Sequence, residues 1–535
     1  MRKAMSIKVF VVSLMCIGFV VKGYSQTQGK YKNYWDEKKK VEKSVGDLKD
    51  GLEEGSWRFY HSNGKLSEVV NYTRGKMNGH YERRHENGKV MELGFYRMGK
   101  QDSTLRVFSE KGILVEEGQY RNGKPVGSWA KYYFNGDSMM VEEFLEKERL
   151  VWSFWDKTGN KILSEGNGRI LAYYDAELVP DDYPRKREEH LYKNGKMDGP
   201  YQIWYVNQEI KEKGVLKDGE LDGPFVSFYL TGEVKKKANY VKGKLDGVTE
   251  EYYRNGSLKL KGTVKEGKNT GDWVWNYENG DPDLIGRFQN GVKVDRWEKY
   301  YENGKLKYTG LYDFGSKTGA WEYYYSTGIL AREGSFYNDL KDGVWKYYLE
   351  TGEKSQEGRF SGGLENGEWT SWYANGEVKD KGSFVMGQID GLWLGYWPNA
   401  EKKYEGSWKL DKKEGSWKHW YDNDKLRDEG TFSGGLKSES WVYYNRLGGR
   451  TSEGDYKNGQ REGVWKFYSG PGVVLRLQHY KNGMLNGKSM EYSERGDLVK
   501  LSTYSENKLN GKVVVYGDDG KVLSEYQYRN GSKVK

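Results

Sequence analysis

The 535-residue chain has one cysteine, eight prolines and six histidines, and each scarcity closes off some chemistry. The single thiol, Cys16, sits inside an apolar run, so disulfides, thiol catalysis and thiolate metal sites are excluded. The histidines (His61, His80, His85, His190, His419, His479) fall at no metal-ligand spacing with one another and read as strand histidines. Aliphatic residues are too sparse for a thick core. Long hydrophobic runs are also scarce, and only Val9–Val21 stands out. At about thirteen residues it is short of the roughly twenty that a membrane-spanning helix needs. With Arg2, Lys3 and Lys8 before it and Gly23-Tyr24-Ser25 after it, the run reads as a secretory signal peptide over residues 1–25, cleaved near Ser25. The expected location is periplasmic or extracellular, and the mature chain would hold neither a cysteine nor a transmembrane segment.

Blocks of one charge are missing as well. There are 87 basic and 78 acidic residues, a formal charge of +9, and losing Arg2, Lys3, Lys8 and Lys22 with the signal would leave about +5. The signs alternate along the chain, which describes a solvated sheet face with edges protected by Lys and Glu. It does not describe a basic stripe, so no nucleic-acid partner is expected.

What the chain does have is glycine, 71 of them, and aromatic residues at 15%, arranged with a period of 24. Counted from Gly55, the first slot is glycine at fifteen of twenty positions, and the slot nine residues later is glycine at fifteen of twenty, usually as Asn-Gly or Thr-Gly. Such dipeptides between segments rich in Tyr, Trp and Val signal β-hairpins. Each repeat is therefore read as one hairpin, and the chain as an all-β, elongated single-sheet array of about twenty repeats. At two strands per repeat and about 4.8 Å per strand the array would reach on the order of 190 Å. A turn centred on Thr327-Gly328 places Trp321 opposite Gly334 and Phe336 opposite Gly319; the next repeat pairs Trp345 with Gly358 and Phe360 with Gly343. A ring lying across a bare cross-strand glycine shields that backbone and restores packing.

The organisation that follows is a signal peptide at 1–25, a charged leader or N-terminal cap at 26–45, a repeat array at 46–177, an irregular junction at 178–190 and a second array at 191–535. The junction is placed by Pro180 and Pro184, which cannot donate to a central ladder.

Few motifs carry chemistry. Gly-x4-Gly-Lys occurs from Gly94, Gly118 and Gly262, but without the Ser or Thr that holds magnesium, and the repeat itself generates the spacing. There is no Gly-x-Ser-x-Gly elbow, and no acidic residue stands apart from the repeat. Arg495-Gly496-Asp497 is a turn slot. No catalytic, cofactor-binding or metal-binding residue is assigned, and the protein is expected not to be an enzyme. The aromatic ladder is the strongest candidate: Trp273, Trp297, Trp321, Trp345, Trp369, Trp393, Trp417, Trp441 and Trp465 recur once per hairpin, with Gly286, Gly310, Gly334, Gly358, Gly382, Gly406, Gly430 and Gly454 as partners. That row reads as structural. Trp372, Trp397 and Trp420 stand outside it and are the candidates for an exposed binding patch.

Gly-x-Trp-x-x-Tyr-Tyr-x-Asn-Gly-Lys-Leu followed by Glu-Gly-x-Tyr-x-Asn-Gly-Lys, as in "DRWEKYYENGKLKYTGLYDFGSK" from Asp295 to Lys317, resembles the MORN-repeat variant proteins, a bacterial branch often labelled antitoxin-like. The resemblance covers almost the whole chain after residue 45. It implies a non-enzymatic scaffold of tandem β-hairpins, associated with protein assembly and sometimes with membranes. The expected function is thus an exported β-repeat scaffold mediating protein-protein interaction in the cell envelope. The alternative is binding of cell-wall glycan or another polysaccharide through exposed aromatics; lipid-surface binding and an antitoxin or immunity role are further readings.

Overall fold

The computed structural model describes residues 28–38, 40–174, 184–470 and 472–534. The expected signal peptide and residues 178–183 of the expected junction lie outside the described residues. What is described holds 45 strands and no helix, and within each of two compact units, residues 1–246 and 247–535, successive strands pair antiparallel.

One repeat shows how the sequence makes its hairpin. Strand Ser316–Tyr324 pairs with Leu330–Tyr337, placing Trp321 opposite Gly334 and Gly319 opposite Phe336. Nearer the turn the register slips: Tyr323 faces Arg332 but Tyr324 faces Leu330. The Tyr325 N–H donates to the Ile329 carbonyl and the Gly328 N–H to the Tyr325 carbonyl, each at 2.9 Å. The loop is therefore Ser326–Gly328, three residues ending in a left-handed glycine at φ 88°, and not a two-residue turn on Thr327-Gly328. The two-residue turn is the link to the next hairpin. There Tyr337 faces Leu340, and Asn338 and Asp339 both have positive φ, 49° and 67°, which gives the backbone twist that matches paired strands.

The glycine that opens each repeat answers a different demand. Between hairpins Glu333 faces Lys346 while Ser335 faces Asp342, so the ladder skips at Gly343, whose φ is 75°. Where the same slot holds another residue the backbone keeps its conformation: Ser103, Asp295 and Glu439 have φ of 64°, 60° and 57°. Each of these pays the steric penalty of a left-handed Cβ, about 1–2 kcal/mol.

The tryptophans pack differently from the sequence reading. Each faces its hairpin glycine in register, from Trp273 with Gly286 to Trp441 with Gly454, but its ring does not lie there. The strand skip tips the indole the other way, over the glycine eleven residues earlier. A Cβ on Gly334 would lie 2.2 Å from Trp345, not Trp321, and one on Gly310 would lie 2.1 Å from Trp321. The same holds from Gly262 under Trp273 to Gly454 under Trp465. The Trp345 Nε1–H donates to the Ser335 carbonyl at 2.9 Å, the residue after its glycine. Each indole is thereby a clasp between consecutive hairpins.

Two stretches depart from the expected organisation. The leader contributes a strand, Gly29–Tyr34, which pairs with Glu42–Lys49, and Tyr31 packs against Trp57 at 5.7 Å between ring centroids. Of the expected irregular junction, Lys186–His190 lies in strand Lys186–Lys193, which pairs with Asn167–Tyr173 and places His190 opposite Ile170, the register slipping between Glu188 and Lys186. A further irregularity lies before it. Strand Lys161–Ser164 has four residues, so flanking turns meet across it: the Val151 N–H donates to the Gly195 carbonyl at 2.8 Å and the Gly195 N–H to the Gly166 carbonyl at 2.9 Å. Here an aliphatic cluster of Met140, Val151, Leu163 and Ile170 replaces the indole row, and the buried Glu142 carboxylate is held by Lys131 and Arg149.

Two stability outcomes follow from this packing. Glu439→Gly relieves a left-handed side chain and raises the free energy of unfolding, read from denaturant titration, by about 1 kcal/mol, where Glu439→Ala leaves it nearly unchanged. Trp345→Ala costs about 3–5 kcal/mol, and Gly334→Ala, which drives a methyl into the same ring, costs about 1–3 kcal/mol. An indole that was free of Gly334 would leave the second variant as stable as the parent.

Candidate functional site

Three side chains per repeat bind a neighbouring repeat, the indole the one before and the other two the one after. The indole clasp is one. In the turn, the Asn303 Nδ2–H donates to the Ser326 carbonyl of the following repeat at 2.9 Å while its Oδ1 accepts from the Lys305 N–H at 3.1 Å. The same asparagine bond recurs at Asn63, Asn87, Asn207, Asn255, Asn375, Asn399 and Asn423. The third is the tyrosine before the turn: the Tyr301 hydroxyl donates to the Tyr324 carbonyl at 2.8 Å, and Tyr253, Tyr277, Tyr325, Tyr373 and Tyr421 do likewise.

The two sheet faces differ. On the face opposite the indoles, tyrosines donate to glutamates, Tyr324 to Glu322 at 2.7 Å and Tyr348 to Glu333 at 2.8 Å. Burial, reinforced by these carboxylates, pushes both phenols up to about 12. On the indole face six of the rings are roofed by a cation four residues before them. Lys293, Lys317, Lys341, Lys413, Lys437 and Arg461 lie 3.9 to 4.7 Å from the centroids of Trp297, Trp321, Trp345, Trp417, Trp441 and Trp465. Burial among the rings draws the Lys293, Lys317, Lys413 and Lys437 ammonium groups below their ordinary value. An aromatic ring two residues after the indole completes the cover, as at Tyr323, Tyr347, His419, Tyr443 and Phe467.

The expected exposed patch is not what these positions present. Trp397 occupies the tyrosine slot before the turn, and its Nε1–H donates to the Trp420 carbonyl at 3.2 Å. Trp372 and Trp420 occupy the slot of Tyr324, two repeats apart. All three are half-buried, and Lys354, Lys403 and Lys402 lie 5.1, 4.7 and 5.5 Å from the rings of Trp372, Trp397 and Trp420.

The open aromatic surface lies instead within the ladder. Along the row from Trp273 to Trp465, Trp369 and Trp393 alone lack both parts of the cover. Their cation slots hold Glu365 and Ile389, and their ring slots hold Ser371 and Gly395. Both indoles are only partly buried, while Trp345 and Trp441 are 0% exposed. Tyr404 fills the space above Gly395, where a Cβ would lie 2.1 Å from its ring. The space above Ser371 stays open as a cleft of about 390 Å³ lined by Trp369, Trp393, Tyr347, Glu365 and Asp380. The Asp380 carboxylate faces Ser371 across the strands and accepts from the Tyr404 hydroxyl at 2.6 Å and the Ser371 hydroxyl at 3.2 Å. Sequence reasoning missed this site because it looked for what recurs; the signal was four simultaneous departures from the repeat.

The MORN repeat variant pattern matches residues 53–73, 77–98, 221–242, 245–266, 296–313, 317–339, 365–386, 413–433 and 509–530. The chain carries nine MORN-variant repeats. MORN repeats generally serve as protein-interaction scaffolds. No curated protein matches it. Among solved structures it is similar to the TcdB2-TccC3-Cdc42 and TcdB2-TccC3 crystal structures, at 11% and 12% identity with TM-scores of 0.13 and 0.12. It is likewise similar to the pore form of the Photorhabdus luminescens Tc holotoxin, at 11% identity and a TM-score of 0.12. The MORN chain is covered to 95% in each and spans about a third of their length, 32 to 34%; likenesses this weak carry no argument about its function. Among the described residues no helix of this MORN protein is long and apolar enough to cross a membrane, and no group of three or more His, Cys, Asp or Glu is placed to hold a metal ion.

One charged cluster on the indole face has a pH signature. Burial alone would raise the Asp428 carboxyl, but hydrogen bonds from His419 at 2.7 Å and Arg427 at 2.7 Å outweigh it and hold the group below the ordinary carboxylate value. A depressed folded value means that the stabilisation is present above the unfolded value and is lost as pH falls through the folded one. The stability advantage of the parent over Asp428→Asn therefore holds from neutral pH down to about pH 4 and disappears below it; an advantage that grew on acidification would contradict the assignment.

Proposed function

We propose that this protein is an exported, non-enzymatic scaffold that presents its repeat surface to protein partners in the cell envelope. The observation that carries the reading is how the recurring side chains are used. Indole, asparagine and tyrosine of each repeat bond to the neighbouring repeat, so they specify continuity of the sheet. The residues between them, alternating Lys and Glu on one face and roofed aromatics on the other, form extended binding area of the kind that repeat architectures use for partners. Export is supported by the basic start, the apolar run Val9–Val21 and Gly23-Tyr24-Ser25.

The test exposes the immobilised protein separately to envelope protein extract, purified cell wall and lipid vesicles. Enrichment of one or a few envelope proteins at physiological salt is expected. Retention of cell wall or vesicles with no protein enriched would replace this reading with glycan or lipid binding. Recovery of the native protein from the envelope fraction with its first residue at or near Gln26 is the expected outcome for export, and recovery from the cytoplasm with Met1 intact would overturn that part.

A further inference from the structure

We infer that the cleft above Ser371 receives a lysine or arginine side chain of a protein partner, laid on the face of Trp369 and paired with Glu365 and Asp380. The inference rests on the scaffold reading and names the chemistry of one contact within it.

The array supplies its own template for the occupant. In six repeats a cation lies over the indole at 3.9 to 4.7 Å, facing across the strands an aromatic such as Phe336 opposite Lys341 or Phe432 opposite Lys437. At Trp369 the aromatic partner is retained, since Phe360 faces position 365 and lies 5.2 Å from the indole. The cation itself is replaced by the opposite charge, Glu365. The surroundings thus remain those of a cation site, while the chain's own cation is gone and a carboxylate stands ready to pair with one that arrives. The second replacement makes room: with Ser371 where Tyr347 and Tyr443 stand in other repeats, the volume of a ring is vacated between Trp369 and Trp393.

Asp380 adds a second carboxylate, fixed in place by the hydroxyls of Tyr404 and Ser371, one on each oxygen. Each oxygen keeps a further lone pair for an incoming ammonium or guanidinium. Neither Glu365 nor Asp380 forms an ion pair among the described residues. Lys341 also lines the cleft, its Nζ 4.5 Å from the Phe360 ring, but it belongs to the roof of the preceding indole, donating to the Tyr347 hydroxyl at 2.7 Å and lying 4.7 Å from Trp345. A volume of about 390 Å³ suits one long side chain and not a protein segment. The formal charge of the chain is +9, so a basic ligand gains nothing from the protein as a whole and is drawn only by this local pair of carboxylates.

The test restores the repeat. Glu365→Lys with Ser371→Tyr returns both positions to residues that neighbouring repeats carry, so the variant closes the cleft without disturbing the ladder, which an unchanged unfolding midpoint verifies. The probes are a fluorescent lysine-rich octapeptide, the same peptide with every lysine acetylated, and a tetramer of N-acetylglucosamine. The full-length parent is expected to bind the lysine peptide at least tenfold more tightly than the acetylated one, and the closed variant to lose at least tenfold of that affinity. Equal binding of the two peptides, or lysine-peptide binding that the closed variant retains, would overturn the inference. So would tetrasaccharide binding that disappears in the closed variant, which would make the cleft a glycan site. No envelope partner enters this measurement, so the scaffold reading stands or falls separately by capture from envelope extract.

Discussion

From Trp273 to Trp465 the packing of the sheet depends on an indole lying flat on a glycine. A sheet one layer deep ordinarily leaves its apolar face in water, and hydrophobic side chains standing upright on a pleat would bury only part of their area. Here the ring of Trp345 lies down over Gly334, where the absent Cβ leaves a flat patch of backbone, and its N–H is satisfied by the adjacent Ser335 carbonyl. Phe336 and Phe360 meet it edge-on at 5.1 and 6.2 Å, and Lys341 closes the top. The ring is completely buried although no second sheet or helix covers it among the described residues. This explains why glycine, tryptophan and lysine keep one phase: each is needed at a fixed offset from the other two.

The period, the hairpin and the facing of Trp321 with Gly334 were legible because all follow from residues at fixed spacing. Two aspects were not. The first is which glycine the ring covers, since register tells which Cα atoms face each other and not which way a side chain leans; the lean comes from the skipped ladder position at Gly343, visible only once the backbone is known. The second is the turn. Asn-Gly has one appearance in sequence but two geometries here. In the link at Asn290-Gly291 both residues are left-handed, while in the loop at Asn303-Gly304 only the glycine is, and the asparagine side chain reaches the next repeat. Beyond Pro180 and Pro184, strand Lys186–Lys193 pairs with Asn167–Tyr173.

The candidate site was illegible to a search for motifs and for aromatics outside the ladder. Trp372, Trp397 and Trp420 drew attention because they were extra, but an additional tryptophan in a repeat finds a slot already shaped for tyrosine, and Trp397 even reproduces the tyrosine hydrogen bond. Trp369 and Trp393 looked ordinary because they are ordinary; what changed was their cover. In a repeat array the informative positions are those where several slots deviate together within one or two units, as Glu365, Ser371, Ile389 and Gly395 do.

A wider consequence concerns how such a sheet can acquire function without losing stability. Replacing the indole or its glycine would unclasp two hairpins, whereas the roofing cation and the flanking ring lie above the indole and not between the hairpins, so they are the parts that can vary while the clasp stays. Both were exchanged around Trp369, and the clasp beneath is intact: the Trp369 Nε1–H still donates to the Arg359 carbonyl at 3.2 Å, and its ring still lies over Gly358. The array thus separates the contacts that hold repeats together from the layer above them. Because six repeats carry the same cation over the indole, removing it at one place creates a cavity whose shape and charge preference are set in advance by the residues that fill it elsewhere.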